Sequence, residues 1–311
     1  MSKLSIIIPV YFNDRTLLNC YHELCEQVLP QLDDYEIIFV DDGSGDASWS
    51  VLQQIKESET IENNKRILLL KLSRNFGSHA ACFAGLSVCT GDCAVIKSAD
   101  LQEPSTLILD MYRSWKRGNE VVLAARLDRA ESFSTKLFAK LYYWLVRKMA
   151  FNNMPEGGFD CYLIGRKVID VIKLLDENNS AITLQILWAG FKTDIVRYVR
   201  APRLIGKSRW TLSKKIKLVI DSLVSFSIYP IRFMSILGII IFILSIIYGL
   251  VLLISKIINI IEIDGWTSIM LVLLFSMGIN MLSLGIMGEY LWRTNEAAKN
   301  RPVFILDKIV R

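Results

Sequence analysis

The sequence predicts an α/β fold, a parallel sheet covered by helices on both faces, followed by a hairpin of two membrane-crossing helices. Three observations carry this prediction. Four unbroken apolar, β-rich runs, Leu4 to Val10, Glu36 to Val40, Ile67 to Leu72 and Asp92 to Lys97, are separated by stretches of helical pattern. Continuous rather than alternating apolar runs mark strands buried on both faces. Each run ends in polar or glycine-containing residues, which places polar side chains at the carboxyl edge of the sheet, where open α/β sheets bind ligands. Finally, no charged residue occurs from Phe233 to Ser255 or from Gly265 to Gly288. As a helix, either stretch crosses roughly 30 Å of hydrocarbon.

Composition agrees with that division. Of 311 residues, 52% are hydrophobic, and the mean hydropathy of +0.35 is high for a soluble chain. Buried core helices are the other reading of the charge-free stretches. Asn259, Glu262 and Asp264 lie in the short link between them, so the pair reads as a hairpin with both ends on one side. Lys214, Lys215, Lys217 and Arg232 precede it and Arg293, Lys299, Arg301, Lys308 and Arg311 follow it, against Lys256 in the link. This asymmetry puts that side, and both termini, in the cytoplasm of a multi-pass cell-membrane protein. Met1-Ser2-Lys3 leads straight into a strand pattern with no signal peptide, so the first 230 residues are expected to be cytosolic. Six cysteines without a C-x-x-C pair, and only two histidines, argue against a zinc site. The net charge of +5 fits a surface facing anionic lipid; no interleaved basic and aromatic motif points to nucleic acid.

Taken in order, the first run leads to Tyr11-Phe12-Asn13-Asp14 and a helical pattern from Thr16 to about Leu29. The second ends in Asp41-Asp42-Gly43-Ser44-Gly45-Asp46, which in isolation is also ordinary turn chemistry. The third ends in Ser73-Arg74-Asn75-Phe76-Gly77 and the fourth leads into Ser98-Ala99-Asp100-Leu101-Gln102-Glu103-Pro104. Their common edge gathers Asp14, Asp41, Asp42, Asn75 and Asp100 into one crevice. Asp100 and Gln102 are either loop polars ahead of a proline-initiated helix or a pair of oxygen ligands for a hard cation such as Mg²⁺ or Mn²⁺. No G-x-G-x-x-G follows the first strand and no P-loop occurs. Carboxylates at strand ends instead accept hydrogen bonds from a base and ribose hydroxyls, and hold a metal that neutralises phosphate.

In this order, Ile8-Pro9-Val10-Tyr11, Val40-Asp41-Asp42-Gly43-Ser44, Arg74-Asn75-Phe76-Gly77 and Ala99-Asp100-Leu101-Gln102-Glu103-Pro104 resemble the motif set of family 2 inverting glycosyltransferases, which have the Rossmann-like GT-A fold. With the two C-terminal spans, the whole chain is similar to the polyprenyl-phosphate monosaccharide transferases, among them the dolichol-phosphate mannose synthases and bactoprenol glucosyl transferases. The resemblance implies that Pro9, Tyr11, Asp14, Asp41 and Asp42 line a uridine pocket, with Asn75 and Ser98 also at the nucleotide sugar. It implies that Asp100 and Gln102 hold a divalent cation on the donor diphosphate. One departure stands out. The family has D-x-D where this chain has Ser98-Ala99-Asp100. A hydroxyl ligates a metal directly or through water but adds no charge, so weaker metal binding is expected, not its absence.

Val121 to Ala125 reads as a further strand ending in Arg126-Leu127-Asp128-Arg129. Phe133 to Phe151 places Leu137, Leu141, Trp144, Leu145 and Met149 on one face, interleaved with Lys136, Lys140, Arg147 and Lys148. That is either an interfacial helix or a core-facing helix with a solvated basic face. The resemblance favours the membrane surface, with Arg126, Arg129 and Lys136 meeting the phosphate of a lipid acceptor. Gly158-Phe159-Asp160-Cys161-Tyr162 falls where the family has Gly-Asp-Phe-Arg-Leu. Phe159 replaces the glycine and Tyr162 the arginine, but Asp160 aligns with the family's catalytic aspartate; the other reading is a loop or capping acid. A phosphate acceptor has its second pKa near about 6, so Asp160, with Asp100 across the donor, is expected to orient and stabilise more than to remove a proton. Arg200-Ala-Pro-Arg203-Leu-Ile-Gly206-Lys207-Ser208-Arg209-Trp210 resembles the family's R-x-x-G-x-S-[KR]-[YW] loop. By that likeness Arg203, Ser208 and Arg209 supply donors to the diphosphate.

The function implied is that of a hexosyltransferase moving one sugar from a UDP-sugar, UDP-glucose by family frequency, to undecaprenyl phosphate with inversion. Its product would serve cell-surface glycan modification. The expected layout is a cytosolic catalytic domain over 1–211 with an interface helix at about 133–151, and an amphipathic juxtamembrane helix over 212–230. Two spans within 231–290 follow, at about 232–255 and 266–289, then a cytosolic tail over 291–311. Related transferases associate through their membrane helices, which implies a homo-oligomer. A non-catalytic nucleotide-sugar-binding scaffold is the alternative that Ser98 supports. A processive polysaccharide synthase needs a Q-x-x-R-W motif and more spans, and Gln185-Ile186-Leu187-Trp188 is not that motif.

Overall fold

The computed structural model describes residues 2–58, 65–127, 142–155, 158–175, 177, 180–201, 219, 221–222, 224–227, 229–258 and 265–311. The chain forms two compact units, one of residues 1–222 with 301–311 and one of 223–300.

The first unit is built on one sheet. β1 (Lys3–Val10), β2 (Asp34–Asp41), β3 (Lys65–Leu72) and β4 (Cys93–Ile96) are the four runs the sequence marks. They are joined by α1 (Leu17–Gln27), α2 (Ser48–Glu57) and α3 (Ser78–Val88). α4 (Leu107–Lys116), β5 (Val121–Arg126), β6 (Phe159–Gly165), α5 (Arg166–Leu174), α6 (Ile182–Trp188) and β7 (Thr193–Tyr198) follow. With β8 (Leu306–Val310) the strand order is β7-β5-β6-β4-β1-β2-β3-β8. Leu4, Ile6 and Ile8 pack with Leu17, Leu24, Leu52 and Ile108 on one face. On the other face α3 lies close, because Gly85 has no Cβ to meet the Ile7 side chain 2.4 Å away.

The four predicted strands are parallel to one another, while the sheet as a whole is mixed. β1, β2, β3 and β4 are parallel, and β5 is parallel to β7. β6 runs antiparallel to both β4 and β5, and β8 antiparallel to β3. An unbroken apolar run records burial on both faces, which either direction satisfies. Residues 291–311, read as a tail, have structure of their own. A helix continues as far as Ala298, Ser73 donates its backbone N–H to Ile305 O at 2.9 Å, and the last strand closes the edge of the sheet beyond β3.

The amino edge of the sheet is stitched shut. Glu36 of β2, 6% exposed, accepts hydrogen bonds from Ser5 Oγ at 2.6 Å, Thr90 N at 2.6 Å, Thr90 Oγ1 at 2.9 Å and Gly91 N at 3.2 Å. Lys3 Nζ lies 3.4 Å from its second oxygen. These bonds tie β1, β2 and the turn before β4 together at their start.

The second unit contains α7 (Tyr229–Ile257) and α8 (Trp266–Ala298), helices whose stretches Ile231–Val251 and Val272–Ala298 are long and apolar enough to cross a membrane. Phe233, Phe242, Ile243, Phe275 and Leu282 are among the large apolar side chains exposed along these helices. At the end of α8, Arg293 pairs with Glu289 at 2.9 Å and donates to Ser225 Oγ at 2.9 Å.

Candidate active site

Strand direction brings the functional side chains together. β1 to β4 all point their carboxyl ends to one edge, and the order reverses between β1 and β4, the switch point where such sheets open a crevice. β6, being antiparallel with Tyr162 opposite Ile96, begins at that edge. β5 ends there with Arg126 opposite Tyr198 of β7. Thus Tyr11–Asp14, Asp41–Ser44, Arg74–Gly77, Ser98–Glu103, Arg126, Asp160 and Arg200 share one rim.

Two of its loops are locked by short hydrogen bonds. Phe12, in a left-handed conformation with φ 56°, donates its N–H to Ser44 Oγ at 3.1 Å, and Asn13 N donates to Ser48 Oγ at 2.9 Å. Tyr11 and Phe12 are exposed with their rings edge to face at 4.7 Å. Pro9 and Asp14 are half-buried beside them, and Asn75 is exposed. Asp42 accepts the N–H groups of Phe76 at 2.7 Å and Gly77 at 2.9 Å, so both of its oxygens hold the β3–α3 loop. Burial outweighs those bonds and pushes its carboxyl up to about 6. Gly43 sits where that loop passes over: with φ 65°, a Cβ here would lie 2.5 Å from the backbone carbon of Arg74. Asp41 differs from its neighbour. Its Oδ1 accepts Ser44 N at 3.1 Å, while Oδ2 is buried without a partner. Burial likewise raises its pKa.

The β4 loop is organised by Ser98. Its hydroxyl meets Asp100 Oδ1 at 2.6 Å and also Glu103 Oε2. Glu103, 2% exposed, leaves its other oxygen unpartnered. Beneath the loop lies Lys97, 1% exposed, with Nζ 3.5 Å from Ser98 O. Leu101 adopts φ 61°, a costly conformation for a leucine, and the chain turns there between Asp100 and Gln102. Gln102 Oε1 and Asp100 Oδ2 both approach Arg200 Nη2, at 2.6 and 4.0 Å. Two oxygens thus face one positive group. Among the described residues no cluster of three or more His, Cys, Asp or Glu forms. As oxygen donors, Asp100 and Gln102 could hold an ion such as Mg²⁺, which keeps waters and takes the rest of its shell from substrate phosphates.

At the start of β6, next to β4, Asp160 is ion-paired with Arg126; the arginine side chain is 7% exposed and the carboxylate 55%. Arg129, Lys136, Arg203, Ser208 and Arg209 lie outside the described residues, within 128–141 and 202–218. Residues 142–149 are helical, with Tyr142 and Val146 buried and Trp144 exposed beneath Lys148 Nζ at 5.1 Å from its ring. Sequence reasoning gave no role to Glu103 or Arg200. Glu103 stands within the quoted motif. Arg200 opens the quoted basic loop, but nothing local shows that it reaches a residue 98 positions earlier.

The family model described as Glycosyl transferase family 2 matches residues 5–173. The chain belongs to that family. It is a glycosyltransferase, and the mixed sheet with its loaded carboxyl edge is the GT-A arrangement. The uncharacterized glycosyltransferase YkcC of Bacillus subtilis (strain 168) is 37% identical over 305 residues, covering 98% of this chain and 93% of that protein. The bactoprenol glucosyl transferase of Shigella phage SfII is 32% identical over 309 residues, covering 98% of each. Of solved structures, S. aureus TarS 1-349 in complex with UDP-GlcNAc is 14% identical with a TM-score of 0.49, over 72% of this chain and 67% of that one.

Proposed function

We propose that this glycosyltransferase moves one hexose from a UDP-sugar, UDP-glucose being the first choice, to undecaprenyl phosphate with inversion. The observation that carries the reading is a pair of side-chain groups on adjacent strands of one rim. Past the end of β4, Asp100 and Gln102 both approach the Arg200 guanidinium, and at the start of β6 Asp160 forms an ion pair with Arg126. The name of the phage relative, a bactoprenol glucosyl transferase, supports the acceptor.

In this reading Asp41 Oδ2 accepts a hydrogen bond from the nucleoside, while Pro9, Tyr11, Asp14, Asn75 and Ser98 bound the donor and Asp42 holds the loop against it. A divalent cation on Asp100 and Gln102 supplies charge neutralisation of the departing diphosphate. Arg126 takes the acceptor phosphate in its planar fork, and Asp160 orients an attacking oxygen that is already largely ionised near neutral pH. That oxygen bonds to the anomeric carbon from the face opposite the breaking C–O bond, and UDP leaves with the bonding electrons. Arg129, Lys136, Arg203, Ser208 and Arg209 would add positive charge to the two phosphate sites. A catalytic domain over 1–211 on the cytoplasmic side, anchored by a hairpin within 231–290, fits the basic residues Arg232, Arg293 and Lys299 that flank the spans.

The test is transfer of radiolabelled sugar from a panel of UDP-sugars to undecaprenyl phosphate by protein purified in detergent, with Mg²⁺, Mn²⁺ or chelator. A chelator-sensitive lipid-linked monosaccharide is expected. UDP-sugar binding without any product would instead favour the scaffold reading.

A further inference from the structure

We propose that Arg200 is a built-in counter-ion that occupies the cation position until cation and diphosphate arrive together, so that the two bind as a coupled pair. The proposal rests on the cation reading above and concerns a residue to which that reading gives no part.

The two oxygens read as cation ligands both face this guanidinium, Gln102 Oε1 accepting from Nη2 at 2.6 Å with Asp100 Oδ2 at 4.0 Å. A divalent ion bound to the same oxygens at about 2 Å would stand within a few ångströms of a fixed positive charge. Side chain and ion therefore exclude one another electrostatically. The surroundings sharpen this competition. Ser98 contributes no charge, and its hydroxyl is engaged by Asp100 and Glu103. With Arg200 in place the Asp100 carboxylate is already neutralised, so a lone cation gains little by entering.

The anchoring shows how the side chain can leave without dismantling the rim. Ala201 N donates to Gln102 O at 3.0 Å, and Gln102 Nε2 donates to Ala201 O at 3.3 Å. These bonds hold the backbone of the segment beyond β7 to the β4 loop independently of the guanidinium. Arg200 Nε is buried without a hydrogen-bond partner, so turning the side chain away sacrifices the Nη2 contacts alone. A diphosphate arriving with the cation brings the negative charge that receives the displaced guanidinium, and a planar fork suits that charge. Cation and nucleotide then favour each other's binding, and the coupling is reciprocal by linkage.

The experiment measures Mn²⁺ binding directly, by electron paramagnetic resonance of the free ion, on full-length protein in detergent with and without saturating UDP. It compares the wild type, Arg200→Gln and Arg200→Lys, with thermal unfolding as the check on folding. Arg200→Gln is expected to tighten Mn²⁺ binding in the absence of UDP by about tenfold or more, the scale set by removing a unit charge some 4 Å away. It is also expected to shrink the factor by which UDP tightens Mn²⁺, whereas Arg200→Lys keeps both values near the wild type. Unchanged or weaker Mn²⁺ affinity in folded Arg200→Gln would overturn the proposal and leave the cation reading standing. Mn²⁺ binding by none of the three, with or without UDP, would overturn both.

Discussion

β2 carries a buried acid near each end, and the two acids have opposite surroundings. At the amino end, burial by itself would raise the Glu36 carboxyl, but hydrogen bonds from Ser5 and Thr90, with Lys3 nearby, hold it below the ordinary value. Just past the carboxyl end, burial wins: Asp42 is pushed up to about 6 in spite of two backbone donors, and Asp41 is raised as well. Among the described residues, Asp41 Oδ2, Glu103 Oε1, Arg126 Nε and Arg200 Nε near the crevice are buried without hydrogen-bond partners, as is Asp34 Oδ1 at the amino edge. A buried polar group left unpaired costs about 1–3 kcal/mol. On the proposed function, the carboxyl edge is the one that a ligand completes, at a cost in stability.

Exchanging a residue from each edge tests this most strongly. Asp160→Asn should lower transfer by about 10²-fold or more, the scale for losing an orienting group, while the unfolding temperature barely moves, because this carboxylate is half exposed. Glu36→Ala should do the reverse. It strands the donors of Ser5, Thr90 and Gly91 and costs about 3–5 kcal/mol in thermal unfolding, with donor KM unchanged in the folded fraction. If Glu36→Ala instead raised KM with little loss of stability, the division between the edges would fail.

Gly43→Ala probes the hinge between the two behaviours. Its Cβ would strike the Arg74 and Asn75 backbone at a left-handed φ, so about 2–4 kcal/mol of destabilisation is expected, together with weaker UDP binding in calorimetry as the Asp42 loop is pushed away.

The acids should also respond to pH with opposite sign. The lowered Glu36 contributes stability above its unfolded pKa near about 4.5 that is lost as pH falls below it. The raised Asp42 contributes stability that is complete below about 4 and lost as pH rises through about 6. Unfolding of Asp42→Asn against wild type, followed from pH 4 to pH 8, should therefore shift in favour of the variant, by at most about 3 kcal/mol. A shift in the other direction would mean that the backbone bonds from Phe76 and Gly77 outweigh burial. The smallest effect belongs to Lys3→Met. Its ion pair with Glu36 is partly exposed, and the loss should be about 0.5–1 kcal/mol, with activity untouched.

By itself the sequence determined the four parallel strands, the polar turns that end them, the motif order that marks the family and the two charge-free stretches that lie in helices. Each is a local record of burial or backbone demand: an unbroken apolar run, a carboxylate after a strand, a stretch free of charge. Only the tertiary structure decided the rest. Whether β6 runs up or down, and so delivers Asp160 to the rim, depends on which strands flank it. That Leu306–Val310 joins the sheet beside β3 follows from pairing across most of the chain. The sequence places Asp42 and Ser98 at the nucleotide sugar, and the fold adds that the Asp42 oxygens grip the next loop and that the Ser98 hydroxyl bridges two carboxylates. Arg200 comes to lie between Asp100 and Gln102 because β7 pairs with β5 and ends at the same edge. Contacts of this kind join residues about a hundred positions apart, and no local periodicity carries a signal for them, because their geometry exists only once the strand order is set.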